Sequence, residues 1–257
     1  MNRLILTTVV VASFAGSLCS PAATAELKIL SPAAMRSSML EIIPAFENSS
    51  GHKVKADFGP AGALAQRIQA GDVVDVGIVT EAQIDELQKA GKIIAGTKVG
   101  IARVGIGVFA PRGAGKVEIA TLDSFKRALL GAKSIGYNDP ASGAPSGAIA
   151  AKLLSGLDIA PAITTKIKLF PAGTAGIYRA VENAEVEIAL GQMTEIMDHP
   201  NIQLLGPLPS EIQNYTSFAS GIVTAGKHQE FAKSFIAFLA SPGATAMMRA
   251  KGLEPLR

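Results

Sequence analysis

From residue 26 onward, short β-rich runs alternate with helical patterns almost to the end of the chain. Leu27-Lys28-Ile29-Leu30 reads as a strand, and Met35 to Asn48 as a helix with Met39, Ile42, Ile43 and Phe46 on one face. Val54 to Phe58 alternates as a strand, Leu64 to Ala70 is a short helix, and Val73 to Val79 is nearly all apolar, as in a strand buried on both faces. Thr80 is placed to cap a helix over Glu81 to Ala90. Ile101 to Ala110 is a Val- and Gly-rich strand. The alternation then restarts, with a helix from Thr121 and Ser124 to Leu130, a strand over Ser134 to Tyr137, and a long turn from Asp139 to Gly147. A helix over Ala148 to Leu154, a strand over Lys166 to Phe170, a helix over Thr174 to Asn183 and a buried strand over Val186 to Leu190 follow. Ile202 to Leu205 and Phe218 to Val223 are further strands, joined by the stiff connector Gly206-Pro207-Leu208-Pro209, and helices over Glu230 to Leu239 and Gly243 to Lys251 close the chain.

Strands separated by helices of this length imply right-handed βαβ units and parallel sheets, so the fold class is α/β. Two Pro/Gly breaks divide the pattern into two lobes, each a mostly parallel sheet flanked by helices. The expected boundaries are residues 26–108 with 217–257 for one lobe and 109–216 for the other. There is no internal repeat of fixed period.

Residues 1–25 differ in kind. Asn2 and Arg3 precede an apolar run from Leu4 to Leu18, and Ala23-Thr24-Ala25 supplies the small-x-small pattern of a signal-peptidase site. The run is shorter than the ~20 residues a membrane span needs. It reads as a cleavable signal peptide, with export to the periplasm. The single cysteine, Cys19, lies inside this segment. It is a lipidation candidate, although Leu18 before it is a poor match to the small residue usual there. The mature chain then has no disulfide and no thiolate chemistry. Hydrophobic residues make up 48% of the sequence and charged residues 18%, enough for a packed core. The formal charge is +3 with no run of Lys or Arg, which argues against a nucleic-acid surface.

In open α/β sheets, ligands bind beyond the carboxyl ends of strands, where helix N-termini favour anions. Five strand-to-helix turns qualify: Ser31 to Ala34, Gly59 to Gly62, Ser142 to Gly147, Pro171 to Thr174, and Gly191 to Thr194. Each alone is an ordinary turn with a capping hydroxyl. Together they mark a cleft with little charge, in which Ser142, Ser146, Thr174 and Gln192 offer neutral donors. Arg36 and Arg179 are the cations placed to pair with a carboxylate.

Enzyme signatures are missing. His52 and His228 lie in polar contexts and His199 precedes a proline, so all three read as surface imidazoles with no metal-ligand spacing. There is no Gly-x-Ser-x-Gly elbow and no phosphate-binding Gly-rich loop, and Gly59-x-x-Gly62 lacks the spacing of a dinucleotide fingerprint. An acid–base pair such as Asp139 with Glu182 reads as two surface carboxylates. The expectation is a binding protein, not an enzyme, without metal or cofactor.

Several stretches, in this order and spacing, resemble the periplasmic molybdate-binding proteins of ABC importers and their wider type 2 solute-binding relatives. They are Leu27 to Met35, Asp57 to Ala65, Gln69 to Val76, Asn138-Asp139-Pro140, Pro145-Ser146-Gly147, and Phe235 to Gly252. The resemblance runs over essentially the whole mature chain. It implies two lobes joined by two crossovers, closing on an oxyanion held by hydroxyls and backbone N–H groups, and a monomer that docks on a membrane permease. By position, the first serine ligand falls at Ala34, next to Ala33, the second near Ala61 or Gly62, backbone ligands at Ser146 and Thr174, and a tyrosine at Leu190. Two serines and the tyrosine of the family pattern are therefore replaced. Lost hydroxyls remove hydrogen bonds that a dehydrated oxyanion needs, each worth about 1.5–3 kcal/mol. A small organic carboxylate is the alternative ligand to a molybdate- or tungstate-like oxyanion. A secreted enzyme and a chemosensory binding protein are the remaining alternatives.

Overall fold

The computed structural model describes residues 26–172 and 176–256. The expected signal peptide, Cys19 and Thr174 lie outside the described residues. The chain is mixed α/β, with helices packed on both faces of a twisted sheet path ordered β2-β1-β3-β9-β4-β7-β5-β6.

The first parallel unit contains β1 (Glu26–Pro32), α1 (Arg36–Ser50), β2 (Lys53–Gly59), α2 (Ala61–Ala70), β3 (Val76–Thr80) and α3 (Glu81–Lys89). The second contains α4 (Leu122–Gly131), β5 (Ile135–Asn138), α5 (Pro145–Ser155), α6 (Ala160–Ile163), β6 (Ile167–Phe170), α7 (Ile177–Glu182) and β7 (Ile188–Gln192). Between them runs β4 (Val99–Pro111), which is antiparallel to its neighbours. The chain returns through β8 (Ile202–Pro207) and β9 (Tyr215–Ile222), and α8 (Gln229–Leu239), α9 (Pro242–Ala250) and β10 (Glu254–Pro255) close the first lobe.

The partners of β4 change along its length. Val99 to Gly105 pair with β9, and Ile106 to Phe109 pair with β7. Gln213 marks the change: its side-chain amide donates to the Ile106 carbonyl and accepts from the Ile106 N–H, both at 3.0 Å. The Ile106 N–H also donates to the Asn214 carbonyl at 3.2 Å and its carbonyl accepts from the Leu208 N–H at 3.1 Å, so the side chain reinforces backbone partners at the changeover.

Each lobe has its own core. Leu30, Met39, Ile42, Phe218 and Phe235 belong to the first, and Phe125, Leu129, Ile135 and Leu190 to the second. A smaller cluster under α7 joins Phe109, Ile177, Tyr178 and Val181. The helix starts follow their expected chemistry. Thr80 and Gln83 form a reciprocal capping box, as do Thr121 and Ser124.

Two elements differ from the sequence pattern. The apolar run from Val73 becomes a strand only at Val76, because Asp75 sits within it. Its carboxylate is 3% exposed and accepts from the backbone N–H groups of Lys28, Lys227 and His228 at 2.8–2.9 Å. Three segments far apart in sequence are tied by one side chain. The helix expected from Ala148 begins at Pro145, since proline at a first helical position loses no hydrogen bond. Gly147 permits this start: a Cβ there would lie 2.3 Å from the Asn138 carbonyl oxygen.

Replacing Asp75 with Ala orphans three part-buried donors. The expected outcome is a loss of about 3 kcal/mol in urea unfolding, seen as a lower midpoint at unchanged slope. A loss below about 1 kcal/mol would show that water or a shifted backbone replaces the carboxylate.

Candidate functional site

The carboxyl ends of β1 and β2 face those of β5 and β7 across a cleft. Two short 3-10 turns, Ala33–Met35 and Met193–Asp198, meet at its floor. There the Thr194 hydroxyl donates to the Ala34 carbonyl at 2.7 Å in a buried contact between the lobes. At the mouth, the Gly62 N–H donates to the Gly143 carbonyl at 3.0 Å.

The space enclosed between these contacts is about 330 Å³, within the range of roughly 300–1,000 Å³ usual for small-molecule pockets. Ala33, Arg36, Ser37, Leu40 and Pro60 line it from the first lobe. Asn138, Ala144, Ala172, Tyr178, Glu195 and His199 line it from the second.

The residues expected from sequence are divided. Ala33 and Arg36 line the cavity. Ala34 lies buried behind it, with its carbonyl engaged by Thr194. Ala61 and Gly62 open α2 beside the mouth, where the Gly62 amide bonds across the lobes. The Ser142 hydroxyl donates back to the Asp139 carbonyl at 2.5 Å. Ser146 is buried, and its hydroxyl accepts from the Asn138 amide at 3.3 Å. Gln192 is buried at the end of β7, and its Nε2 has no partner among the described residues. Arg179 is exposed on α7 and takes no part in the lining. Leu190 is wholly buried in the core of the second lobe.

Arg36 makes no ion pair with a described residue. Its guanidinium instead lies over the Phe58 ring, 5.4 Å from the centroid. A cation held by a ring face keeps its hydrogen-bonding edge available to an anion. Asn138 is 2% exposed, and its Oδ1 has no partner among the described residues. It adds a fixed polar group aimed at the same space.

Tyr178, Glu195 and His199 form the rest of the polar wall. The Tyr178 hydroxyl donates to the Glu195 carboxylate. The tyrosine ring is stacked between Phe109 and His199, at centroid distances of 5.7 and 4.8 Å. His199 Nδ1 lies 3.0 Å from a Glu182 carboxylate oxygen. His199 and Glu182 are therefore not the solvated surface groups expected from sequence: both are partly buried and paired. Asp139 instead accepts from the Ala141 N–H. Burial pushes the Glu195 carboxyl up to about 7, against the opposing pull of the Tyr178 hydrogen bond. Burial first, and then the Glu195 charge, raises the Tyr178 hydroxyl well above its ordinary range, so it remains a donor.

Neither Tyr178 nor Glu195 was singled out by motif, and Asn138 lay in the Asn138-Asp139-Pro140 stretch without being named as a site residue. The signal available for Glu195 was positional, since it lies three residues beyond the end of a buried strand, where α/β sheets gather ligands.

The sequence model of the bacterial extracellular solute-binding proteins matches residues 27–254. The chain belongs to this family. Membership implies a small ligand and an ABC permease as partners. Among curated relatives, this solute-binding protein is 26% identical to aconitate isomerase of a Pseudomonas species over 235 residues, covering 90% of this chain and 88% of that one. It is 29% identical over 253 residues to the molybdate-binding protein ModA of Azotobacter vinelandii, covering 96% and 97%. The solved structure of the periplasmic molybdate-binding protein of Azotobacter vinelandii superposes with a TM-score of 0.73 at 17% identity, covering 88% of this chain and 98% of that one. The two-lobed fold expected from sequence is thus that of the periplasmic binding proteins. The expectation that the chain is not an enzyme is contradicted by the relative named aconitate isomerase. The sequence reading kept a secreted enzyme only as an alternative because it sought metal sites, nucleophile elbows and nucleotide loops, and an isomerase of a small acid needs none of them.

The raised Glu195 carboxyl has a consequence for stability. In the unfolded chain it titrates near the ordinary carboxylate value, and in the folded protein near 7. Between those values the folded state holds the extra proton, so stability falls as pH rises through this window. Glu195→Gln is therefore expected to raise stability at pH 8 by about 1–3 kcal/mol and to leave it unchanged at pH 4. Melting curves at the two pH values check this, and an equal effect at both would contradict it.

Proposed function

We propose that this protein takes a small polycarboxylate between its lobes and isomerises it by moving a proton along the carbon chain. The observation that carries this reading is the cavity's pairing of an unneutralised cation, Arg36, with a titratable group, Glu195, whose carboxyl is pushed up to about 7. A tetrahedral oxyanion has no C–H bond on which a proton-accepting group in the wall could act. A carbon acid has both features to use: carboxylates for Arg36 and a C–H bond for a base. The isomerase relative supports the same class of substrate.

An unsaturated tricarboxylate such as aconitate cannot change geometry while its double bond is intact. Loss of a proton from the CH2 next to the alkene spreads an electron pair over the carbon frame. Return of a proton at the far carbon then rebuilds the double bond in its new place and geometry. Closure of the cleft over the ligand would exclude water and strengthen the Arg36 contact in both steps. In this reading the protein is exported, the lobes close about the points where β4 and β9 pass between them, and residues 26–108 with 217–257 move against 109–216.

The test is a thermal-shift panel on the mature protein with cis- and trans-aconitate, tricarballylate, molybdate, tungstate and sulfate, followed by proton NMR of either aconitate isomer. Tricarboxylates at a hundred times their dissociation constant stabilise by about 2.7 kcal/mol, and one aconitate isomer is converted to the other. Arg36→Ala weakens tricarboxylate binding by roughly 10- to 150-fold, the worth of one charge-assisted hydrogen bond. A shift with molybdate or tungstate alone would return the cleft to oxyanion capture.

A further inference from the structure

Glu195 stands in the 3-10 turn that leaves the carboxyl end of β7 and crosses toward α1 of the other lobe. It shares the cavity wall with Arg36, Asn138, Tyr178 and His199. Its hydrogen-bond partner among the described residues is Tyr178, itself a cavity group. The fold gains little from this arrangement, because a carboxyl taken from water without a cation beside it carries a desolvation penalty. The surrounding packing nevertheless fixes it closely. Tyr178 is 3% exposed and lies nearly parallel to Phe109 and His199, with interplanar angles of 21° and 18°. Glu182 holds His199 from behind. A ring locked on both faces gives its hydroxyl one direction, and that direction is the Glu195 carboxylate.

Resting on the isomerase reading above, we propose that Glu195 is the catalytic residue that takes the proton from the ligand's CH2 and returns it to the far carbon of the allylic system, with Tyr178 as its positioning residue. The step balances without a co-reactant. The Glu195 carboxylate forms an O–H bond as the ligand's C–H bond breaks, and the released pair delocalises through the alkene into a ligand carboxylate. The O–H bond then breaks as a new C–H bond forms at the other end of the three-carbon unit, and the double bond re-forms toward the original CH2 carbon. Arg36 stabilises the charge that gathers on the ligand carboxylate in between.

The charged and titratable groups lining the cavity with Glu195 are Arg36 from α1, Tyr178 from α7, and His199 beyond its own turn, with Glu182 behind the histidine. A base poised near neutrality is strong enough to accept the proton yet about half ionised near pH 7. The rate therefore rises with pH through the Glu195 titration, near 7 in the free protein. Tyr178→Phe removes a donor that favours the carboxylate, so this limb of the profile moves to higher pH. Loss of packing alone would not move it.

The experiment incubates the mature full chain with trans-aconitate in D2O and follows isomerisation and deuterium entry by proton NMR, with binding measured by calorimetry. For Glu195→Gln the expected result is a loss of at least about 100-fold in whichever process the unaltered protein performs, with affinity kept within a few-fold. Retention of that process by the variant overturns the assignment and leaves the isomerase reading standing. Deuterium entry without isomerisation, abolished in Glu195→Gln, removes the isomerase reading but keeps Glu195 as the proton carrier. Neither process in unaltered protein saturated with the tricarboxylate overturns both.

Discussion

Everything in this molecule hangs on one strand serving two sheets. β4 is antiparallel to its neighbours on both sides of Ile106, pairing with β9 before it and with β7 after it. At the junction the Gln213 amide and the backbone of Leu208 and Asn214 share the Ile106 peptide groups. Two parallel units, each with its own core, are thereby placed with their carboxyl strand ends face to face. Helix N-termini and post-strand turns from both units converge on the same gap, which is why the cleft forms there and not on an outer face. Among the described residues, a threonine hydroxyl to the Ala34 carbonyl and the Gly62 amide to the Gly143 carbonyl cross the gap, and Met193 packs against the core of the first lobe.

Much of this order is legible in the sequence, because periodicity reports burial directly. The run from Ile101 to Ala110 could be read as a buried strand, and Thr80 and Thr121 as helix starts, from local chemistry alone. The runs fail where a distant partner decides. Asp75 interrupts an apolar stretch, and only the backbone of Lys28, Lys227 and His228 explains why a carboxylate is tolerated there. The pairing of β4 with both β9 and β7 leaves no local mark either, since either half of the strand reads alike.

The site is less legible than the fold for a related reason. Positions carried over from the oxyanion binders lead to Ala34, Gly62 and Leu190, whose side chains are apolar or absent. They mark where the old ligand groups stood without naming new ones. The polar wall comes instead from Tyr178 on a different helix and from Glu195 beyond the strand end. Glu195 and His199 are unremarkable letters in a stretch of mixed polarity. What sets them apart is the Tyr178 ring between them in space, 17 residues from Glu195 in the chain. Arg36 was visible because a cation inside the first helix turn needs no partner to be noticed.

The bare backbone contact at the cleft mouth bears on how long a guest stays. A single methyl placed on Gly62 would lie 2.9 Å from the Gly143 oxygen and 3.0 Å from its Cα, too close for the two peptides to meet. Gly143 itself holds a φ of 77°, which ties its place to glycine a second time. An alanine at Gly62 would work as a doorstop. No group in the pocket would change, yet the exit would stand ajar, solvent would reach the interior, and residence time would shorten. Two hydrogen atoms, one on each glycine, set the tightness of the seal.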